Sequence, residues 1–181
     1  RQHGNYLFIP SGIGTMEYQN GSKFTGRWIN GNRNNGKYTY GENSTRLSYE
    51  GQFSNNKFNG AGTIIYKSGD KYEGYFVKGK YHGKGIFICT NYTYHGDFVE
   101  NDKHGAGHIA YQDGTEYTGL WYRNLMDGRG KLIHTDGEVY EGEFYENQYQ
   151  GKGVLKYSNG EVYDGDFNDS LFDGTGIYLS L

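Results

Sequence analysis

The chain is poor in the residues that most often staple or interrupt a fold, with one cysteine and one proline in 181 residues. A lone Cys89 cannot form an intrachain disulfide, which excludes a disulfide scaffold and fits a reducing compartment. So little proline excludes collagen and argues against proline-rich disorder, even though 31 glycines stand well above the ordinary ~7%. Aliphatic residues are scarce too. Only 34% of the chain is hydrophobic, and 18% of the chain is aromatic, so rings rather than branched side chains must supply the core. No stretch approaches the ~18 apolar residues of a membrane-spanning helix. The opening Arg1-Gln2-His3-Gly4 has no signal-peptide core. Asn91-Tyr92-Thr93 matches a glycosylation acceptor, a tripeptide that arises often by chance.

What is present is a phrase of about twenty-three residues. Its clearest copies are Tyr72-Glu73-Gly74-Tyr75-Phe76 and Tyr140-Glu141-Gly142-Glu143-Phe144, each followed by a Gly-x-Gly such as Gly83-Lys84-Gly85 or Gly151-Lys152-Gly153. The opening aromatics are Phe24, Tyr49, Tyr72, Tyr94, Tyr117, Tyr140 and Tyr163, at steps of 25, 23, 22, 23, 23 and 23. A partial repeat over residues 1–23 precedes them. Because the chain lacks an initiating Met and starts partway through a repeat, it is expected to be a fragment or a processed product. A fixed period of this length implies small units, each dependent on its neighbours to bury a face.

Within a repeat, residues alternate sides as in a strand, so Tyr72, Gly74 and Phe76 share one face and Glu73 and Tyr75 the other. The polar Lys78-Gly79-Lys80-Tyr81-His82 then reads as a turn, and Gly83, Gly85, Phe87 and Cys89 share a face of the returning strand. Asp113-Gly114, Asp136-Gly137 and Asn159-Gly160 supply left-handed backbone for the turns between repeats. Glycine alternating with bulky rings predicts that aromatics of one strand lie over glycines of the next. The position two beyond each Gly-x-Gly is large and apolar (Met16, Ile64, Phe87, Ile109, Leu132, Leu155, Tyr178), which makes one sheet face a ladder of apolar side chains.

The pattern departs from itself in the repeat that opens at Phe24. Asn35-Gly36-Lys37 stands where Gly-x-Gly is expected, the step lengthens to 25, and a bulge or longer loop is predicted near Tyr40–Arg46. Charge departs as well. Residues 1–93 hold 12 Lys/Arg against 5 Asp/Glu, and residues 94–181 hold 6 against 16, a polarity hidden by the net charge of −3. Such asymmetry bears on association rather than fold.

Chemistry-bearing constellations are weak. Gly83-Lys84-Gly85 and Gly151-Lys152-Gly153 lack the Gly-x4-Gly-Lys-Ser/Thr phosphate-loop frame and the following helix, so their glycines read as structural. His104 and His108 have the spacing of a metal pair on a helix, but here they flank Gly105-Ala106-Gly107 in an expected strand. Asp164 and Asp166 occupy repeat positions on the polar face and read as solvated. The expectation is a non-enzyme with no catalytic residues, metal or cofactor, and no nucleic-acid partner.

The phrase Tyr-x-Gly-x-Phe/Trp followed by Asn or Gly and His/Asn/Asp-Gly-x-Gly, seen at Tyr94, Gly96, Phe98, Asn101, His104, Gly105 and Gly107, resembles the MORN repeat (membrane occupation and recognition nexus) over residues 12–181. The resemblance implies an all-β, elongated, single-layer antiparallel meander of β-hairpins, about seven and a half repeats and roughly 70 Å long at two strands per repeat. It further implies a cytoplasmic scaffold or protein-interaction module linked to cytoskeletal, flagellar or membrane-adjacent structures. The partner is expected to be a helix or an extended segment, joined by self-association through terminal repeats. An aromatic ladder on a single layer is expected to leave an exposed strip, with Trp28, Tyr66, Tyr111, Trp121 and Tyr157 as partner contacts. The two tryptophans also read as fillers of an ordinary packing slot. The alternative is an anionic membrane or phosphoinositide met by Lys57, Lys67, Lys71, Lys78, Lys80 and Lys84, against which stands their spacing along a solvated face.

Overall fold

The computed structural model of the chain describes residues 10–180. The expectations placed on Arg1–Gly4 and on Leu181 lie outside those residues. Among the described residues every regular element is a β-strand. Two compact units meet between Lys80 and Tyr81 in the sequence. The first carries β1 (Gly12–Glu17), β2 (Lys23–Ile29), β3 (Asn32–Thr39), β4 (Arg46–Ser54), β5 (Lys57–Tyr66) and β6 (Lys71–Val77). The second carries β7 (Lys80–Ile88, from Tyr81 onward), β8 (Tyr92–Val99), β9 (Asp102–Tyr111), β10 (Glu116–Tyr122), β11 (Leu125–Ile133), β12 (Val139–Tyr145), β13 (Gln148–Lys156), β14 (Val162–Asn168) and β15 (Leu171–Leu179). In each unit strand order equals chain order and neighbours are antiparallel, so the architecture is an open meander of hairpins.

The hairpin inside a repeat is closed by two consecutive residues with positive φ. Arg123 and Asn124 have φ of 47° and 71°, Glu146 and Asn147 48° and 71°, and Asn55 and Asn56 48° and 59°. Positive φ at both central residues is the turn whose twist matches a hairpin. The asparagine at its second place also ties one repeat to the one before. The Asn124 backbone N–H donates to the Lys103 carbonyl at 3.0 Å, and its side-chain Oδ1 accepts from the Lys103 N–H at 2.8 Å. Asn147 does the same to Met126 at 2.9 and 2.8 Å.

The glycines of Gly-x-Gly divide their work. The first is left-handed, as at Gly105 and Gly151 with φ of 60° and 59°, and is one of two residues that its own strand inserts at a register shift against the preceding strand. The second lies in a row of glycines paired across strands. In the first unit the row runs Gly14, Gly26, Gly36, Gly51, Gly62, Gly74. In the second it runs from Gly85 and Gly96 through Gly107, Gly119, Gly130, Gly142, Gly153 and Gly165 to Gly176. Tyr49, Tyr94, Tyr117, Tyr140 and Tyr163 each lie flat across two members of this row. A Cβ on Gly119 or Gly130 would come within 2.4 Å of the Tyr117 ring or hydroxyl, and one on Gly142 or Gly153 within 2.4 or 2.5 Å of Tyr140. Each ring therefore covers a glycine of its own strand as well as one of the next.

These rings are the core. Tyr49, Tyr72, Tyr94, Tyr117 and Tyr140 are completely buried. Tyr117 meets Trp121 and Phe144 edge-on at centroid distances of 5.2 and 5.1 Å, and Tyr140 meets Phe144 and Phe167 at 5.1 Å each. Edge-to-face pairs of this kind add about 0.5–1.5 kcal/mol beyond burial. Each hydroxyl donates to the carbonyl three residues on, Tyr117 to Leu120 and Tyr140 to Glu143 at 2.8 Å. Burial pushes the Tyr140 phenol up to about 12, with a further push from Glu143 and a partial offset from backbone hydrogen bonds.

Two expectations change here. The opening aromatics do not form an exposed strip, because glycine lets each ring lie flat and neighbouring Phe or Trp side chains close its edges. Trp28 and Trp121 accordingly stand at 6% and 4% exposure in the slot that Phe takes elsewhere, so they are packing residues rather than exposed anchors. In the repeat from Phe24, Gly36 occupies the second glycine's place opposite Gly26 and Gly51, and Asn34 replaces the left-handed first glycine. The extra two residues appear where expected. Residues 40–45 join β3 to β4, whereas the equivalent connection from β5 to β6 is the four residues 67–70, and a register shift follows between Arg46 and Ser48.

Candidate functional site

One column of the repeat varies in a way that changes its chemistry. Nine residues after the opening aromatics stand Arg33, Phe58, Tyr81, Lys103, Met126, Tyr149 and Phe172. Three of the aromatic residues stack on their opening ring, at 3.7 Å for Phe58 on Tyr49, 3.7 Å for Tyr149 on Tyr140 and 3.8 Å for Phe172 on Tyr163. Arg33 and Lys103 put a cation in this aromatic column.

Arg33 is held by the turn of the following repeat. Its backbone N–H and Nε donate to the Asn56 Oδ1 at 2.9 and 3.3 Å, and one terminal nitrogen donates to the Asn56 carbonyl at 2.9 Å. The guanidinium carbon lies 4.9 Å from the Tyr38 ring centre and 5.3 Å from Phe53. Arg46 arrives from the lengthened 40–45 loop, 5.8 Å from the Tyr40 ring and 5.9 Å from Phe58, with one nitrogen 3.4 Å from the Tyr40 hydroxyl. The loop is fixed by the Ser22 Oγ, which accepts from the Gly41 N–H at 3.1 Å, and by Lys67, whose ammonium donates to the Glu42 carbonyl. Burial raises the Tyr40 phenol above its ordinary value, opposed by the Arg46 hydrogen bond and charge. Together Arg33, Tyr38, Tyr40, Arg46, Asn56 and Phe58 line a groove of about 300 Å3 on the aromatic face of the first unit.

Lys103 is a different case. Its ammonium lies 4.9, 5.6 and 4.8 Å from the centres of Tyr92, Tyr94 and Trp121, a three-sided ring enclosure. Burial holds its amine below the ordinary lysine range. The adjoining recess, lined also by Tyr81 and Phe87, is only about 140 Å3, so the lysine fills most of what its repeat leaves open. Two recesses of about 480 and 490 Å3 follow the glycine row on the polar face of the second unit. They exist because glycine leaves bare backbone between flanking side chains, and the cross-strand ion pairs beside them are satisfied within the sheet, Lys84–Asp97 at 2.8 Å and Lys152–Asp166 at 2.7 Å.

Within each unit the residues singled out in the sequence do not gather into one site. Tyr66 and Tyr157 are half-buried and Tyr111 is 39% exposed, but none lines the groove. Tyr111 faces Tyr92 at 5.8 Å and Tyr157 faces Tyr178 at 6.3 Å within their own unit. Of the lysines, Lys57 belongs to the groove lining, Lys71 pairs with Glu73 at 2.7 Å, Lys84 pairs with Asp97, Lys78 sits in a turn with φ of 51°, and Lys80 is exposed. His108 bonds Thr118 at 2.8 Å while His104 lies against the Tyr122 ring. Among the described residues no three His, Cys, Asp or Glu side chains gather as metal ligands. Asp166 is held below the usual carboxylate range by Lys152 and Thr175, which keeps it ionised. The groove residues were missed because Arg33, Tyr38, Tyr40 and Arg46 belong to the irregular repeat. The signal that finds them is the column nine residues after each opening aromatic.

Comparison with known proteins places these observations. The sequence model of the MORN repeat matches residues 9–23, 49–71, 72–93, 94–116, 117–139, 140–162 and 163–180. Residues 24–48, which supply half of the groove's lining, lie outside those segments. No curated protein sequence matches the chain. Among solved structures, the chain is similar to the SAS-4 (dCPAP) TCP domain of Drosophila melanogaster, solved in complex with a proline-rich motif of Ana2 (dSTIL). The identity is 13%, the match covers 98% of each chain, and the TM-score is 0.41.

Proposed function

The chain belongs to the MORN-repeat family, and on that premise we propose that it is a non-catalytic scaffold that holds an extended segment of a protein partner on its aromatic face. The observation that carries this reading is the groove of the Phe24 repeat. There the aromatic column is interrupted, a longer loop builds a wall, and Tyr38, Tyr40 and Phe58 line a recess of about 300 Å3. Rings in such a recess offer contact area at low entropic cost. An extended chain suits a narrow recess better than a helix about 10 Å across. Display of a random peptide library against the chain tests it. Selected peptides should slow hydrogen exchange in β3 and in residues 40–45, and failure to select any peptide that protects these segments would count against the reading.

Self-association and a cytoskeletal, flagellar or membrane-adjacent setting belong to the same proposal. In support of self-association, β15 is exposed along its length, with Leu171, Ile177 and Leu179 at 71%, 65% and 61%. The opposite charge of the two halves of the sequence favours head-to-tail contact. Light scattering should then show oligomers that dissociate as salt rises. A monomer at every ionic strength removes this part of the proposal.

A further inference from the structure

Resting on the reading above, we propose that the groove of the first unit is a carboxylate-binding site. Arg33 and Arg46 take the side-chain carboxylate of an acidic residue in an extended partner segment, and the apolar neighbours of that residue lie on Tyr38, Tyr40 and Phe58.

Charge placement is the first argument. Strand alternation puts Phe24, Tyr38, Tyr49 and Tyr72 on the aromatic face and the flanking odd or even positions on the other. The strand carboxylates Glu17, Glu50 and Glu73 all fall on the polar face, where they meet Lys23 at 3.3 Å, Lys37 at 4.0 Å and Lys71 at 2.7 Å. No carboxylate among the described residues pairs with Arg33. The first unit thus keeps its strand anions on one face and puts two guanidiniums into a groove on the other.

Preorganisation is the second. Two of the five N–H donors of the Arg33 fork are committed to Asn56, which fixes the plane of the guanidinium against Tyr38 and Phe53. A planar fork held in place loses little entropy when it meets a carboxylate, and it meets one through two parallel hydrogen bonds. The ring walls lower the local dielectric and so strengthen the attraction. The surroundings also select the source of the anion. A flat lipid surface needs cations presented together to solvent, whereas these two lie in a ring-lined recess that admits a side chain.

The test uses four probes with the intact chain. These are a fluorescein-labelled ten-residue peptide alternating Glu with Leu and Phe, the same peptide with Gln for Glu, its phosphoserine counterpart, and vesicles containing phosphatidylserine. Fluorescence anisotropy should show the Glu peptide binding at least tenfold more tightly than the Gln peptide. R33Q and R46Q should each remove most of that preference, and K84Q, on the polar face of the other unit, should leave it unchanged. Thermal melts establish that each variant is folded, and R33K, which keeps the charge but not the fork, should lose at least threefold. Equal binding of the Glu and Gln peptides would overturn the carboxylate site while leaving the peptide-holding scaffold intact. Binding of no peptide would overturn both. Arg33-dependent binding of vesicles, or of phosphoserine peptide in strong preference to Glu peptide, would overturn the carboxylate assignment.

Discussion

The repeat from Phe24 and the repeat from Tyr140 use the same frame for different ends. Both hold a glycine of the cross-strand row, Gly36 in one and Gly153 in the other. Nine residues after the opening ring, the Tyr140 repeat has Tyr149 stacked at 3.7 Å, sealed by a hydrogen bond of 2.7 Å between its hydroxyl and His134 Nε2. The Phe24 repeat has Arg33 there, clamped by Asn56 instead of stacked. One copy finishes the core and the other leaves it open beside two charges. The lesson is that a repeat opens a groove by giving up one packing position, while the glycine row keeps the strands in register.

The comparison can be broken from the side that the two units share. Alkali acts on both through their buried phenols. A phenol whose pKa is raised on folding stabilises the fold fully below its unfolded value near 10, and that contribution is lost as pH rises through the folded value. With Tyr140 at about 12 and Tyr49, Tyr94 and Tyr117 also raised by burial, the chain should unfold between about pH 10 and 12 or just above. Phenolate absorbance should rise together with the loss of strand circular dichroism, and ionisation well ahead of unfolding would contradict the burial. A Cβ in the row is the next largest insult. Gly130→Ala and Gly62→Ala, which put a methyl within 2.4 Å of Tyr117 and Tyr49, should each cost about 3 kcal/mol in urea denaturation, alike in both units. Gly114→Ala meets no atom within 4 Å and should cost only about 1 kcal/mol, through its φ of +94°.

Smaller changes sharpen the contrast. Phe58→Arg should lose about 1 kcal/mol or slightly more, because it removes a stacked ring from Tyr49. Arg33→Phe should stay within about 1 kcal/mol of the parent, since a ring suits that column, while binding of acidic peptide is lost. Lys103→Met copies the residue of the next repeat and relieves a cation held in a ring enclosure. A gain of up to about 1 kcal/mol is expected from thermal melts, and a clear loss would show that cation–ring attraction outweighs desolvation there.

The hairpin period, the sockets for rings and the longer connection after Tyr40 were all legible in the sequence, because glycine, alternation and spacing act locally. The covering of the aromatic ladder was not. Whether Trp28 and Trp121 face solvent depends on how flat the opening ring lies and on which neighbour closes its edge, and that is a matter of packing between repeats. The asparagine clamp was equally hidden, since Asn56 reaches back twenty-three residues to Arg33. The asparagine recurs in the phrase, but its period does not say that its side-chain oxygen reaches back to the preceding repeat. The different duties of the two glycines in Gly-x-Gly became visible only through φ and register. The groove lay where the phrase fails, and there a reading built on the phrase has least to say.

The flat-lying tyrosine also governs how the chain reaches its fold. Tyr117 rests on Gly119 of its own strand and Gly130 of the next, so its seat is complete once thirteen further residues have been made. Nothing in that seat waits for a distant segment. Such nearest-neighbour contacts keep loop-closure costs low and let structure spread from any finished hairpin. Made from its N-terminal end, such a chain would settle one hairpin at a time, each new strand pairing its row glycine with that of the last.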